Sequence, residues 1–177
     1  MLGVTAEPAE ITGAAPGDDL VPDAEVTMDR GFTLAASPDQ VWPWFAQLGK
    51  NRAGWYLPRP AELLIPRRRR ALRHLDLTLH TLRAGDVIDD WGGPGATFEI
   101  VTHDPPRTLV HRSTRGPLRI SWTIRLTPRA TGTRVHLRFR IAGVRHRRLV
   151  EYGGGLVDLL TVAGLAAGLR ERTAGQR

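Results

Sequence analysis

Few residues in this chain could do chemistry, and His111 is the first to weigh. Over residues 108–113, Leu109, His111 and Ser113 share one strand face while Val110 and Arg112 share the other. With the Leu109 face inward, a neutral imidazole sits where it could exchange a proton with a ligand. The opposite assignment puts Val110 inside beside Arg112, and alternation alone allows both. The other histidines offer less. His74, His80 and His146 lie in basic or irregular segments, His103 ends a strand, and His136 alternates with arginines and is expected to face water. The nearby acids are Asp86, Asp89, Asp90 and Glu99. Asp86 follows Gly85 as a turn residue does, and Glu99 lies between Phe98 and Ile100, so it is expected to face outward. No pair has the spacing of metal ligands or of a glycosidase, and G-x-S-x-G, P-loop, dinucleotide and H-E-x-x-H patterns are absent. With no cysteine there is neither a thiolate metal site nor a disulfide framework. Neither a metal nor a cofactor is expected.

The aromatic residues carry more. Trp55, Tyr56 and Trp91 sit beside glycines in turns, where strand packing does not require a ring, and large rings with a polar tip suit the mouth of a pocket for a flat or greasy molecule. Phe98, Trp122 and Phe139 on strands, with Leu156 and Leu160 on the last helix, complete the expected ligand-binding set alongside His111. Trp44 and Phe139 serve equally as core filling.

These residues need a scaffold, and the patterns predict one. Val26, Met28, Arg30, Phe32 and Leu34 alternate with polar residues in a first strand. Ser37 and Gln40 form a capping box with Pro38 at the first helical position. Val41, Trp44, Phe45 and Leu48 then make one apolar stripe, with Pro43 bending the helix and Gly49 stopping it. A short second helix is expected from Pro58 and Pro60 through Ile65. Residues 67–84 are ambiguous, reading as helix first and strand later. Strands are expected at 87–91, 97–103 and 108–113. The clearest element is a hairpin in which Leu118, Ile120, Trp122, Ile124 and Leu126 face Val135, Leu137, Phe139 and Ile141, with arginines on the other side. One dry face demands a cover. A helix over residues 156–172 supplies it, with Leu156, Leu159, Leu160, Ala163 and Ala167 on one face and Gly164 and Gly168 permitting close approach. Gly153, Gly154 and Gly155 read as the loop or hinge before it.

V-W-P-W-x-x-Q-L-G followed by R-x-G-W-Y, together with PGDDLVPD, RGFTLAASP, LRAGDVIDD and PPRTLVHR, resembles the polyketide cyclase/dehydrase branch of the SRPBCC superfamily, the START-like or helix-grip proteins. The resemblance spans roughly residues 16–172. It implies an α+β fold in which a curved antiparallel sheet wraps a long C-terminal helix with an apolar cavity between them. It implies no single activity, since the superfamily holds carriers, receptors and cyclases. After Gly54-Trp55-Tyr56 these relatives continue with an S-Y-D-W-like segment, whereas this chain has Leu57-Pro58-Arg59-Pro60.

Length and composition agree with one domain at 16–177 preceded by a disordered tail at 1–15, rich in Ala, Gly, Thr and Pro. The acids of residues 1–29 number seven with no Lys or Arg, leaving 25 basic against 11 acidic residues in the remainder. Such a body attracts polyanions. The run at Arg67 to Arg70 with Arg73 has no interleaved aromatic, as a single-strand surface requires, and reads as a solvated face. No segment combines a basic start with an apolar run, and the longest apolar stretch, 156–169, contains Asp158 and is too short to span a bilayer. A cytoplasmic protein with no membrane span is expected. Binding of a small hydrophobic or amphipathic molecule between sheet and last helix leads the readings. A cyclase or dehydratase using His111, and a nucleic-acid or anionic-surface binder using Arg119, Arg125, Arg134, Arg138 and Arg140, follow.

Overall fold

Alternation builds the sheet as the patterns require. A computed structural model of the chain describes residues 3–175; Met1 and Leu2 of the expected tail, and Gln176 and Arg177, lie outside the described residues. Six strands, β1 (Val26–Leu34), β2 (Val87–Asp89), β3 (Thr97–Asp104), β4 (Thr108–Arg115), β5 (Leu118–Arg129) and β6 (Gly132–Ala142), form an antiparallel sheet in the order β1-β6-β5-β4-β3-β2. The hairpin register pairs Ile120 with Ile141, Trp122 with Phe139 and Ile124 with Leu137, so the residues expected on the dry face share it. A register shift between Ile100 and Thr102 adds curvature at the β3 side. Among the described residues, β1 is reached only through β6.

Helix α2 (Pro38–Gln47) starts at the expected capping box, in which the Ser37 amide donates to Gln40 Oε1 at 3.0 Å. Val41, Trp44, Phe45 and Leu48 are all buried in the core. Helix α3 (Arg59–Glu62) ends earlier than expected. Residues 67–84 contain neither the expected long helix nor a strand; they hold two single 3-10 turns, Arg67–Arg69 and Leu77–Leu79. Pro66 stops a helix from entering this stretch and the adjacent arginines repel one another, while Leu72, Leu75, Leu79 and Leu82 pin it to the core.

The last helix runs unbroken over Arg147–Ala174, with a π-helical segment at Val150–Gly154 and regular α-helix from Gly155. The three glycines are therefore neither loop nor hinge. Tertiary contacts hold them in helix: Arg30 donates to the Gly155 carbonyl at 2.9 Å, and Gly154 lies against Met28. By length and composition this is the one helix among the described residues that could cross a membrane. Half of it belongs to the core, where Val162, Leu165, Ala166 and Leu169 are buried. The buried stripe is thus rotated from the expected one; Leu159 and Ala163 pack at its edge, and Leu156 and Leu160 are exposed. Gly164 and Gly168 serve close approach, but to a loop and not to the sheet. A Cβ on Gly168 would stand 2.7 Å from the Tyr56 carbonyl carbon.

The N-terminal segment departs most from expectation. Residues 3–25, expected to be disordered up to 15, lie across the outer face of the sheet and include helix α1 (Pro8–Thr12). Val4 is buried and its carbonyl accepts from Gly31. Glu10 pairs with Arg134 at 2.6 Å, Asp18 with Arg138 at 2.8 Å, and Glu7 with Arg129 at 2.8 Å. Arg138 also donates to the backbone carbonyls of Glu10, Ile11 and Gly13. Opposite charges separated in sequence have found each other. His136, expected to face water, is 5% exposed and its Nε2 lies 2.7 Å from Asp29 Oδ1. The surface that a nucleic-acid reading requires is covered in part: Arg134 and Arg138 are buried, Arg140 donates to Val21 and Arg119 pairs with Asp23, while Arg125 stays exposed.

Candidate functional site

The inner face of the sheet carries one row of residues aligned by register across five strands: Met28, Phe139, Trp122, His111 and Ile100. The choice left open for β4 resolves with Leu109, His111 and Ser113 inward, all buried, and Arg112 outward on Glu99 at 2.8 Å. His111 stacks on Trp122 with centroids 4.6 Å apart and planes at 24°. Phe98 meets the His111 ring edge-on at 5.7 Å. Trp122 stacks in turn on Trp55 at 6.1 Å, and Trp55 meets Trp91 edge-on at 5.8 Å. A ladder of rings thus leads from a histidine that is 2% exposed to a tryptophan that is 49% exposed.

Trp55 Nε1 donates to the Thr161 carbonyl at 3.2 Å, which fastens the middle rung to the C-terminal helix. At the rim, Arg115 pairs with Asp90 at 2.6 Å and lies 5.2 Å from the Phe98 centroid. Its Nε donates to Ser113 Oγ, which donates to the Thr97 carbonyl at 2.6 Å. The site therefore offers apolar faces inside and a charged, hydrogen-bonding edge outside.

His111 Nδ1 lies 3.1 Å from the Trp122 carbonyl. A carbonyl only accepts, so this nitrogen carries the proton and Nε2 keeps its lone pair. Burial drives the imidazole down to about 4, against smaller opposing effects of the Trp122 carbonyl and Asp90. At neutral pH the ring is an uncharged acceptor.

Of the residues expected at the site, Trp55, Trp91, Phe98, His111 and Trp122 come together, and Phe139 flanks Trp122 on the neighbouring strand. Tyr56, expected at the mouth, is fully buried; its hydroxyl donates to the Trp44 carbonyl at 2.9 Å, and burial pushes its ionisation up. Adjacent residues in an extended loop point opposite ways, so Trp55 and Tyr56 divide the two sides of that loop between them. Leu156 and Leu160 stand on the outward side of the helix and line nothing within the ladder. His111, Phe98 and Trp122 pack against one another on the sheet face that the helix covers, where the resemblance implies a cavity. An open cleft of about 440 Å³ lies elsewhere, beside Arg59, Arg73, His74 and Glu171.

Sequence reasoning named Asp90 only as a nearby acid and missed Arg115 and the buried pair of Arg172 with Glu62. Arg172 falls at the i+7 position from Leu165 and i+3 from Leu169, which is the signal that would have placed it on the buried stripe.

A family model described as polyketide cyclase/dehydrase and lipid transport matches residues 24–174. No curated protein matches the chain. Solved structures do. One from Rhodobacter sphaeroides is 18% identical, with a TM-score of 0.55 over 88% of this chain and 97% of its own. One from Mesorhizobium loti is 21% identical, with a TM-score of 0.51 over 84% and 98%. CalU16 from Micromonospora echinospora is 20% identical, with a TM-score of 0.50 over 84% of both chains. At these identities the likeness is one of fold, the helix-grip arrangement of a curved sheet around a C-terminal helix.

Proposed function

We propose, from the premise that this chain belongs to the polyketide cyclase/dehydrase and lipid transport family, that it binds a small hydrophobic or amphipathic molecule against the ring ladder, under the first half of the C-terminal helix. The observation that carries the reading is the continuity of the ladder, from the buried His111 through Trp122 and Trp55 to the half-exposed Trp91. Rings in this arrangement exchange partners readily. A flat apolar guest that slides between Trp55 and Trp122 replaces one stacking contact by two, and its polar end meets Arg115 and Asp90 at the rim.

Denaturing the purified protein and searching the organic extract by mass spectrometry tests this directly. A hydrophobic compound recovered in stoichiometric amount, or tryptophan quenching that saturates on titration with a planar hydrophobic fluorophore, is expected. An empty extract together with no saturable quenching overturns the reading.

A second reading, catalysis of the cyclase or dehydratase type, is favoured by one observation: the neutral His111 with its Nε2 lone pair uncommitted to the Trp122 carbonyl. In that reading Nε2 accepts a proton from an acidic carbon beside a carbonyl of the guest, and Arg115 stabilises the resulting oxyanion. A bound guest that exchanges its carbon-bound protons with heavy water, in wild type but not in His111→Phe, is the expected result. Equal exchange in both removes the histidine from any such role.

A further inference from the structure

The C-terminal helix exposes an apolar surface at the end that the sheet leaves free. Leu149, Tyr152, Leu156, Val157 and Leu160 are 70%, 76%, 57%, 64% and 56% exposed, on a stretch of only four turns. Exposed apolar surface of this concentration marks a contact site. Basic residues stand at its start. Arg145 and Arg148 have no ion-pair partner among the described residues, and Arg147 has only the exposed Glu151 at 3.8 Å. The other acid of this half, Asp158, is held by Arg30 at 2.8 Å and faces the sheet.

We propose that this half-helix docks the protein on an anionic lipid bilayer, its apolar residues entering the headgroup boundary and Arg145, Arg147 and Arg148 meeting lipid phosphates. Charge selects this occupant. Helices that lie in a bilayer interface combine an apolar side with flanking Lys or Arg, and an aromatic with a polar tip, here Tyr152, sits at headgroup depth. A second copy fits less well, because its own stripe offers the three arginines a single exposed carboxylate, Glu151. Nucleic acid satisfies the arginines and leaves the five apolar side chains in water. The other half of the helix cannot follow into the bilayer, since Leu165, Ala166 and Leu169 are in the core and Arg172 is bonded beneath them. The helix therefore lies on the membrane and does not span it. The inference goes beyond the ligand reading and does not depend on it.

Co-sedimentation of the full chain with phosphatidylcholine vesicles, with and without phosphatidylglycerol, tests the proposal. Binding to the anionic vesicles alone is expected, falling as salt rises. Replacing Arg145, Arg147 and Arg148 together by glutamate is expected to weaken it by about a hundredfold or more, each arginine near such a surface contributing roughly fivefold. Leu156→Asp with Leu160→Asp is expected to abolish it. All five positions are exposed, and circular dichroism is the check that the variants fold. Equal binding to both vesicle types, or unchanged binding by either variant, overturns the proposal. So does a concentration-dependent dimer, seen by light scattering, that the leucine variant abolishes, because a second copy then covers the face.

Discussion

Arg172 Nη2 lies 2.6 Å from Glu62 Oε1 with its side chain wholly buried, and the same guanidinium lies 4.6 Å from the centre of the Tyr56 ring. Its remaining donors go to the carbonyls of Leu57, Leu72 and Gly168. One side chain thereby ties the C-terminal helix to α3, to the loop that carries Trp55 and to the irregular stretch before β2. A buried charge left without its partner is costly, so Glu62→Leu is expected to lose about 3–5 kcal/mol in urea denaturation. The double variant Glu62→Leu with Arg172→Met is expected to be less damaged than Glu62→Leu alone. Additive losses would show that the two charges do not depend on each other.

His111 makes folding stability depend on pH. Its folded value is about 4, below the ordinary 6.5, because burial disfavours the cation. The unfolded chain takes up a proton at a pH where the folded one does not. The stabilisation is complete above about pH 6.5 and is lost as pH falls towards 4, by roughly 3 kcal/mol in all. His111→Gln is expected to flatten the stability profile across that window. Asp29 and Glu10, whose carboxyls are held low against their burial by His136 with Arg138 and by Arg134 respectively, lose their contribution at more acidic pH, while His80 and His103, also lowered by burial, add contributions of the same sign that His111→Gln leaves in place.

Two glycine-to-alanine substitutions in one helix are expected to act in opposite directions. Gly155→Ala places a methyl in open space and improves helix propensity, gaining about 0.5–1 kcal/mol. Gly168→Ala drives a methyl into the Tyr56 and Leu57 backbone, at 2.7 and 2.8 Å, and is expected to lose about 1–3 kcal/mol. Melting temperatures of the two variants check the signs. A stabilised Gly168→Ala would mean that the helix can move away from the loop at little cost.

Trp91 and Trp55 separate stability from binding. Trp91 is half exposed and touches the ladder by one edge, so Trp91→Ala is expected to change stability by less than about 1 kcal/mol while weakening the hydrophobic guest several-fold. Trp55→Phe keeps a ring and loses the hydrogen bond to Thr161, and is expected to loosen the helix, read as faster amide exchange across residues 155–161. Unchanged affinity in Trp91→Ala would place the guest elsewhere.

Deleting residues 1–20 is expected to uncover the arginines of β5 and β6. The truncated chain is expected to elute from heparin at higher salt than the full chain, and to melt lower. Equal elution of both forms from a heparin column would count against the electrostatic cover.

Where a residue pattern repeats, the fold was legible. Trp122 opposite Phe139, the capping box at Ser37 and the inward row of β6 all follow from period two or period 3.6. The parts that were not legible depend on partners distant in the chain. His136 alternates with arginines and reads as solvated, but Asp29 and the N-terminal segment close over it. Gly153 to Gly155 read as a loop, yet Arg30 caps a carbonyl within a helix that runs through them. Tyr56 and Trp55 are neighbours of one chemical kind, and only the position of Arg172, more than a hundred residues later, decides which is core. At the candidate site Trp55 and Trp91 were identifiable by their turn positions, a signal that misplaced Tyr56, whereas Arg115 and Asp90 gave no periodic signal.

The acidic N-terminal segment also sets an order of assembly. Glu10 and its partner Arg134 are 124 residues apart, and among the described strands β1 neighbours β6 alone. During synthesis the segment emerges well before the hairpin of β5 and β6 on which it docks. Contacts of such long sequence separation form slowly. Until they do, the acids of this segment and the arginines of β6 remain in solvent together, so a segment made early waits for partners made more than a hundred residues later.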